Sequence, residues 1–167
     1  TGMVDDDIYT AYRLNWWRET SPAMFDRVAI WLSVADYAVY LLSGARVSSP
    51  SIAARSGLAD RRSLTWSQDI LRHAGISDAQ LPELKPSASL AGGITAEIAR
   101  QTGLAAGTPI INAGHDHPCA GLGCGLAAPG RIIDSTGTSE ALKTVIDRPL
   151  DFTETLDGSY DCYPHVV

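Results

Sequence analysis

A short apolar run, Thr108-Pro109-Ile110-Ile111-Asn112-Ala113, ends directly in Gly114-His115-Asp116-His117. The run is bounded by Pro and Gly and reads as a strand. The residues after it, Pro118 to about Leu126, are rich in Ala, Gly and Cys and read as a helix that allows close backbone approach. Pro129-Gly130 is a turn, Arg131 to Thr136 a strand, Gly137-Thr138-Ser139 a tight turn, and Ala141 to Ile146 a returning strand. A strand that breaks into a helix at a polar cluster is the arrangement in which α/β sheets hold ligands, at the carboxyl ends of their strands. An Asp at that point can act as general base toward a substrate hydroxyl. The positive end of the helix dipole favours its carboxylate form. Asp is equally one of the commonest helix N-caps, so Asp116 carries both readings.

His115 and His117 flank Asp116 and offer neutral donors and acceptors at pH 7. A His-x-His pair also suggests a metal, yet adjacent residues cannot all face one ion and no complete ligand set is spaced for it. The sequence therefore predicts no metal ligands. A second polar cluster, Asp134-Ser135-Thr136-Gly137-Thr138-Ser139, sits at the expected hairpin tip. Its hydroxyls and backbone N–H groups can face an anion, or they can bond back to their own turn. It lacks the Gly-Lys-Ser/Thr of a Walker A loop.

The first third of the chain reads as helical. Ile8, Tyr12 and Trp16 recur every four residues, with Leu14 and Trp17 widening the apolar face. Ser21-Pro22 opens a helix carrying Met24, Phe25 and Val28. Ser33 caps another, with Val34, Tyr37, Ala38 and Leu41 on one face, Asp36 in its first turn and Gly44 as its stop. Ser48-Ser49-Pro50-Ser51 reads as loop. Ile52 to Arg55 reads as a short helix leading to a strand near Gly57-Leu58. Trp66 to Ala74 reads as a helix ended by Gly75. Residues 81–87 read as extended connector, and Thr95 caps a helix that runs through Thr102 to Gly103. Net charge is −6 with no Lys/Arg cluster, which argues against nucleic acid as a partner. No apolar run approaches the ~20 residues of a membrane span, and the acidic N-terminus has no basic region of a signal peptide. Three cysteines, an odd number, suit a reducing cytoplasm better than a disulfide framework.

The order strand, Gly-His-Asp-His, small-residue helix, Pro-Gly, strand, Ser-Thr-Gly-Thr-Ser, strand resembles the FGGY family of carbohydrate kinases. Further segments agree in the same order. Thr1-Gly2, Tyr9 and Arg13-Leu14-Asn15-Trp16 resemble the family's lead into a Trp-containing helix. Trp31-Leu32-Ser33-Val34-Ala35-Asp36-Tyr37 resembles its Asp-Tyr/Trp-Leu helix. Ser51 to Leu58 resembles its Ser-x-Ala-Ser-Arg-Thr-x-Leu stretch, and Leu81 to Leu84 and Gly103 to Pro109 are similar as well.

The resemblance implies an α/β, ribonuclease H-like fold of the actin/hexokinase ATPase type, here incomplete, with a helical region and a mixed sheet. It implies that residues 1–126 are the C-terminal part of the sugar-binding first domain and residues 127–167 the beginning of the nucleotide-binding second domain. The implied partners are a sugar or polyol and ATP with Mg2+, and a homodimer is open. Asp116 matches the family's catalytic base. His117 sits where the family often has Gln or Asn against substrate hydroxyls, and His115, where the family usually has a small residue, is a further substrate-contact candidate. Tyr9 is a substrate-contact candidate, with helix packing as the preferred reading. Arg55 reads as an ion-pair partner, and Trp16, Trp17, Trp31 and Trp66 as packing residues. Gly137 and Thr138, assisted by Thr136 and Ser139, match a loop that contacts ATP phosphates. The family's Asp-x-Gly-Thr loop and adenosine-binding glycines are not in these 167 residues, which implies a part of a kinase inactive alone. A non-catalytic carbohydrate-binding or regulatory domain is the second reading, and a metal-dependent hydrolase built on His115, Asp116 and His117 the third.

Overall fold

The computed structural model describes residues 3, 6–150, 154 and 160–167; Thr1-Gly2 lie outside the described residues. The first helix, α1 (Thr10–Thr20), is followed by the single turn α2 (Pro22–Phe25) with Pro22 at its start. Ser21 makes no side-chain cap bond, and the turn stops before Val28. Leu14 and Phe25 enter a core with Leu58, Leu71, Ala74, Ile76 and Leu81, and Ala11, Trp31 and Trp66 pack on it. The expected stripe of α1 is instead on the outside: Ile8, Tyr12 and Trp16 are all exposed, and Trp16 meets Trp17 edge to face at 4.9 Å. The rotation of α1 is set by Ala11, Leu14 and Arg18, which share one face. Leu14 and Ala11 meet the core, and Arg18 donates to the carbonyl of His73 at 2.8 Å. Of the four tryptophans, Trp31 and Trp66 pack on the core as expected, whereas Trp16 and Trp17 do not.

Helix α3 (Val34–Ser43) begins where its cap chemistry predicts. Ser33 Oγ accepts from the Asp36 backbone N–H, and the Asp36 carboxylate accepts from the Ser33 N–H, a capping box. Gly44 stops the helix in a left-handed conformation, φ 75°. Here too the anticipated apolar face, Val34, Tyr37 and Leu41, is exposed, and Asp36 is buried. The inward face of α3 is chosen by its seat on β1 (Val47–Ser48), β5 (Ser89–Gly93) and β6 (Pro109–Asn112). Burial pushes the Asp36 carboxyl up from its ordinary value, against the pull of its Ser33 hydrogen bonds.

The region from residue 45 to 93 is more ordered than its composition suggests. Ser48 lies in β1, and Ser49, expected in a loop, caps α4 (Pro50–Arg55) by accepting from the Ile52 N–H. The strand expected near Gly57-Leu58 is β2 (Ala59–Asp60), paired antiparallel with β3 (Thr65–Trp66). Trp66 is therefore a strand residue, its indole donating to the Pro82 carbonyl at 2.9 Å, and α5 (Gln68–Ala74) starts two residues later and ends at Gly75. After a single 3-10 turn (Asp78–Gln80) comes β4 (Glu83–Leu84), parallel to β1. Strand β5 has no clear signal in the sequence, because it is rich in Ser, Ala and Gly. It pairs antiparallel with β6 and shifts register between Leu90 and Gly92. Gly92 sits where a Cβ would come within 3.0 Å of the Ser43 Cβ, so its lack of a side chain lets α3 rest on the strand. Between the two strands lies α6 (Ala96–Thr102), capped by Thr95 and stopped by Gly103 as its residues predict.

The last elements are α7 (Asp116–Gly123) and the hairpin β7 (Ile132–Thr136) and β8 (Glu140–Thr144). Helix α7 starts two residues before the expected Pro118 and ends before Leu126. Among the described residues no helix is long and apolar enough to cross a membrane. Cys119, Cys124 and Cys162 are free thiols. Because the α3 start depends on a reciprocal cap, Ser33→Ala should lower stability by about 1 kcal/mol, read as an earlier midpoint in denaturant unfolding with an unchanged slope.

Candidate active site

The site is built on the end of β6. Asn112 is fully buried, and its side-chain amide donates to two carbonyls, Ser48 at 3.0 Å and Lys85 at 3.2 Å. One amide thus joins β6 to the ends of β1 and β4, the parallel pair. Two residues on, Gly114 passes so close to Val166 and Ser51 that a Cβ there would collide with both. Ser51, itself buried, accepts the His115 backbone N–H on its Oγ at 2.8 Å. The first turn of α4 and the first turn of α7 are thereby locked to each other.

Asp116 is the first residue of α7, and His115 is its N-cap position, without a side-chain cap bond. The N-cap reading of Asp116 is replaced by a first-turn position. Its Oδ1 accepts from the His117 backbone N–H at 2.7 Å and lies 3.1 Å from Nε2 of His115. Its side chain is 81% exposed. Oδ2 takes no partner among the described residues. The His115 ring is half-buried and held by other rings. His117 lies parallel to it at 5.4 Å, and Tyr163 meets it edge-on at 6.0 Å. Burial, above all, holds His115 below its ordinary value, with Asp116 pulling the other way and Arg55, His117 and Lys143 adding to the depression.

A second group lies behind this turn. Arg55 pairs with Asp161 at 2.6 Å, as an ion-pair partner should, and its guanidinium lies over Tyr9 at 5.1 Å and Tyr163 at 5.6 Å. The Tyr9 ring is buried, and its hydroxyl faces Asp161 at 3.2 Å and Arg55 at 3.5 Å. Burial first, then Asp161, raises the Tyr9 hydroxyl. Tyr9 is committed to this cluster. A cleft of about 570 Å3 opens beside the α7 start, lined by Trp31, Asp36, Ser48, Arg55, His115 and Asp116 among others.

The structure brings His115, Asp116 and His117 together and sets Tyr9 one layer behind, through Arg55 and Tyr163. Thr136, Gly137, Thr138 and Ser139 are at the exposed tip of the β7–β8 hairpin and do not line the cleft. The hairpin seats on α7 where Ile133 faces Gly121. The Gly137 N–H is used within the turn, donating to the Ser139 carbonyl at 3.0 Å. Among the described residues no three His, Cys, Asp or Glu side chains are placed to hold a metal ion. Asn112 and Ser51 are functional-frame residues that the sequence reading misses. For Asn112 the available signal is a polar residue inside an apolar run.

Residues 1–123 match the N-terminal domain of the FGGY family of carbohydrate kinases. The chain belongs to this family. It is 30% identical over 155 residues to an autoinducer-2 kinase of Yersinia enterocolitica, covering 93% of the chain and 29% of that protein. It is 30% identical over 131 residues to the xylulose kinase of Bacillus subtilis, covering 78% of the chain and 26% of that protein. The ligand-bound xylulose kinase of Lactobacillus acidophilus superposes with a TM-score of 0.91 at 27% identity, covering 98% of the chain and 33% of that kinase. The FGGY chain thus spans under a third of the length of the curated relatives it matches. Its fold is part of the actin/hexokinase-like ATPase fold of these sugar kinases.

Two substitutions probe the frame of this FGGY site. Asn112→Ala leaves the Lys85 carbonyl without this donor, whereas the Ser48 carbonyl keeps the Lys85 N–H at 2.9 Å, and should cost roughly 1–3 kcal/mol. Gly114→Ala should cost about 1–3 kcal/mol by forcing Val166 and Ser51 apart. Thermal or denaturant melts read both.

Proposed function

We propose that the whole protein is an ATP-dependent carbohydrate kinase in which Asp116 takes the proton from a hydroxyl of a sugar or polyol. The observation that carries this is the state of the Asp116 carboxylate. Oδ1 is held by the His117 N–H and His115, while Oδ2 faces outward from the start of α7 with no protein partner among the described residues. A base needs one oxygen anchored and one available, within hydrogen-bond reach of the proton it removes. As Oδ2 takes the hydroxyl proton, the substrate oxygen attacks the γ-phosphorus in line, and the bond from that phosphorus to the β–γ bridging oxygen breaks to release ADP. ATP with Mg2+, when bound, supplies the phosphoryl group and neutralises its charge.

His117, half-buried beside Asp116, is the proposed contact to neighbouring substrate hydroxyls. The exposed hydroxyls of Thr136, Thr138 and Ser139 around Gly137 suit an ATP phosphate as hydrogen-bond donors. Residues 1–126 would belong to the sugar-binding domain and residues 127–167 to the nucleotide-binding domain. The family match over 1–123 supports that division. The relatives' names make five-carbon and six-carbon ketoses the first substrates to try.

The test is ATP-dependent phosphorylation by the whole protein of a panel that includes xylulose, fuculose, gluconate and glycerol. Turnover of one member, lowered about 10²–10⁴-fold by Asp116→Asn, is the expected result. Turnover that survives Asp116→Asn unchanged would remove Asp116 as the base, and no turnover across the panel would remove the kinase reading.

A further inference from the structure

We propose that His115 is a positioning residue for Asp116, carrying its proton on Nε2 and donating it to Oδ1, so that Oδ2 alone is left to receive a substrate proton. This rests on the reading of Asp116 as the base. It replaces the simpler idea that His115 grips the substrate.

The geometry argues for it from four sides. Nε2 lies 3.1 Å from Oδ1, an ion-pair contact; an ionised carboxylate can only accept, so the proton that this contact favours is one on Nε2. Nδ1 is buried and has no hydrogen-bond partner among the described residues. A second proton placed there would be both unpaired and charged, which is costly away from water. The ring therefore stays in its neutral Nε2–H form. Its plane is set by His117 stacked at 5.4 Å and 11°, and by the edge of Tyr163 at 6.0 Å. Its backbone is anchored by Ser51 and by the tight passage of Gly114.

The charged and titratable groups around His115 agree with this state. Asp116 favours a proton on the ring, whereas Arg55, His117 and Lys143 oppose it, and burial opposes it most. As pH falls from neutrality, His115 therefore resists protonation below the usual histidine range. What burial excludes is a second proton on Nδ1; the Nε2–H that faces Asp116 is present in either state of the ring. The consequence for phosphoryl transfer is geometric: a carboxylate with one oxygen tethered twice cannot swing away from the hydroxyl it must deprotonate. Small misplacements of a catalytic group are expensive in rate.

Two readouts test the proposal, one of them independent of kinase activity. Imidazole nitrogen NMR on this 167-residue chain should show His115 protonated on Nε2 with Nδ1 bare. Its titration midpoint should lie below the ordinary histidine value, and Asp116→Asn should move that midpoint lower by removing the favourable charge. Protonation on Nδ1, or a midpoint indifferent to Asp116→Asn, would overturn the proposal whether or not the protein is a kinase. In the whole protein, His115→Ala should lower kcat on the order of tenfold or more with KM little changed. His115→Gln, which keeps a side-chain N–H donor, should recover part of that loss. A rise in KM with kcat intact would make His115 a substrate contact instead. Absence of any kinase turnover would count against the Asp116 reading alone, since the NMR result on the His115–Asp116 bond stands by itself.

Discussion

The side-chain amide of Asn112 is the point on which the rest of the site depends. A buried amide must find acceptors, and this one finds the carbonyls of Ser48 and Lys85, on segments 64 and 27 residues away in sequence. Strands β1 and β4 are only two residues long, too short to define a rigid sheet by ladder bonds alone. The Asn112 contacts tie their ends to the end of β6 at the place where the chain turns into α7. Gly114 and Ser51 then complete the junction by close approach and by one backbone hydrogen bond. The direction in which Asp116 leaves the fold is a consequence of that junction.

Electrostatics around the junction separates two roles by depth. Arg55 is held between two tyrosine rings and neutralised by Asp161, so its charge is spent on structure. The Tyr163 ring contact and the ion pair draw the segment from residue 160 onward against α4. Closer to solvent, Asp116 keeps its charge exposed and His115 stays neutral beneath it. A half-buried cation that is paired suits a scaffold, and an exposed anion that is half-tethered suits the proposed role of a base. At the same depth the Tyr9 ring is buried and its hydroxyl is engaged with Asp161 and Arg55.

Helix capping and loop punctuation are legible in the sequence alone. Ser33 with Asp36, Thr95 with Gly103, Gly44 and Gly75 all act where their residue types predict, because a cap is a local interaction between neighbours in sequence. Strand β6 and the β7–β8 hairpin are legible for the same reason, and α7 to within two residues of its start. The inward faces of α1 and α3 are not. Apolar spacing identifies a stripe, yet which stripe meets the core depends on partners far away in sequence. Here Ile8, Tyr12 and Trp16, and Val34, Tyr37 and Leu41, are outside. Strand β5 escapes because Ser, Ala and Gly carry little strand signal of their own, and its pairing with β6 decides it.

By itself the sequence determined the chemical inventory and its order: an acidic residue between two histidines, at the end of an apolar strand and the start of a small-residue helix, followed by a hydroxyl-rich turn. That order was sufficient to mark the family, because it is carried by neighbouring residues. Only the tertiary structure decided which atoms are available. It buried Nδ1 of His115 and tethered Oδ1 of Asp116 while leaving Oδ2 facing out. It enclosed Tyr9 with Arg55 and Asp161 and placed the hydroxyl turn outside the cleft. Those outcomes depend on contacts between segments such as Ser51 with His115 and Asn112 with Ser48, and contacts over 64 residues of chain leave no local trace in the sequence.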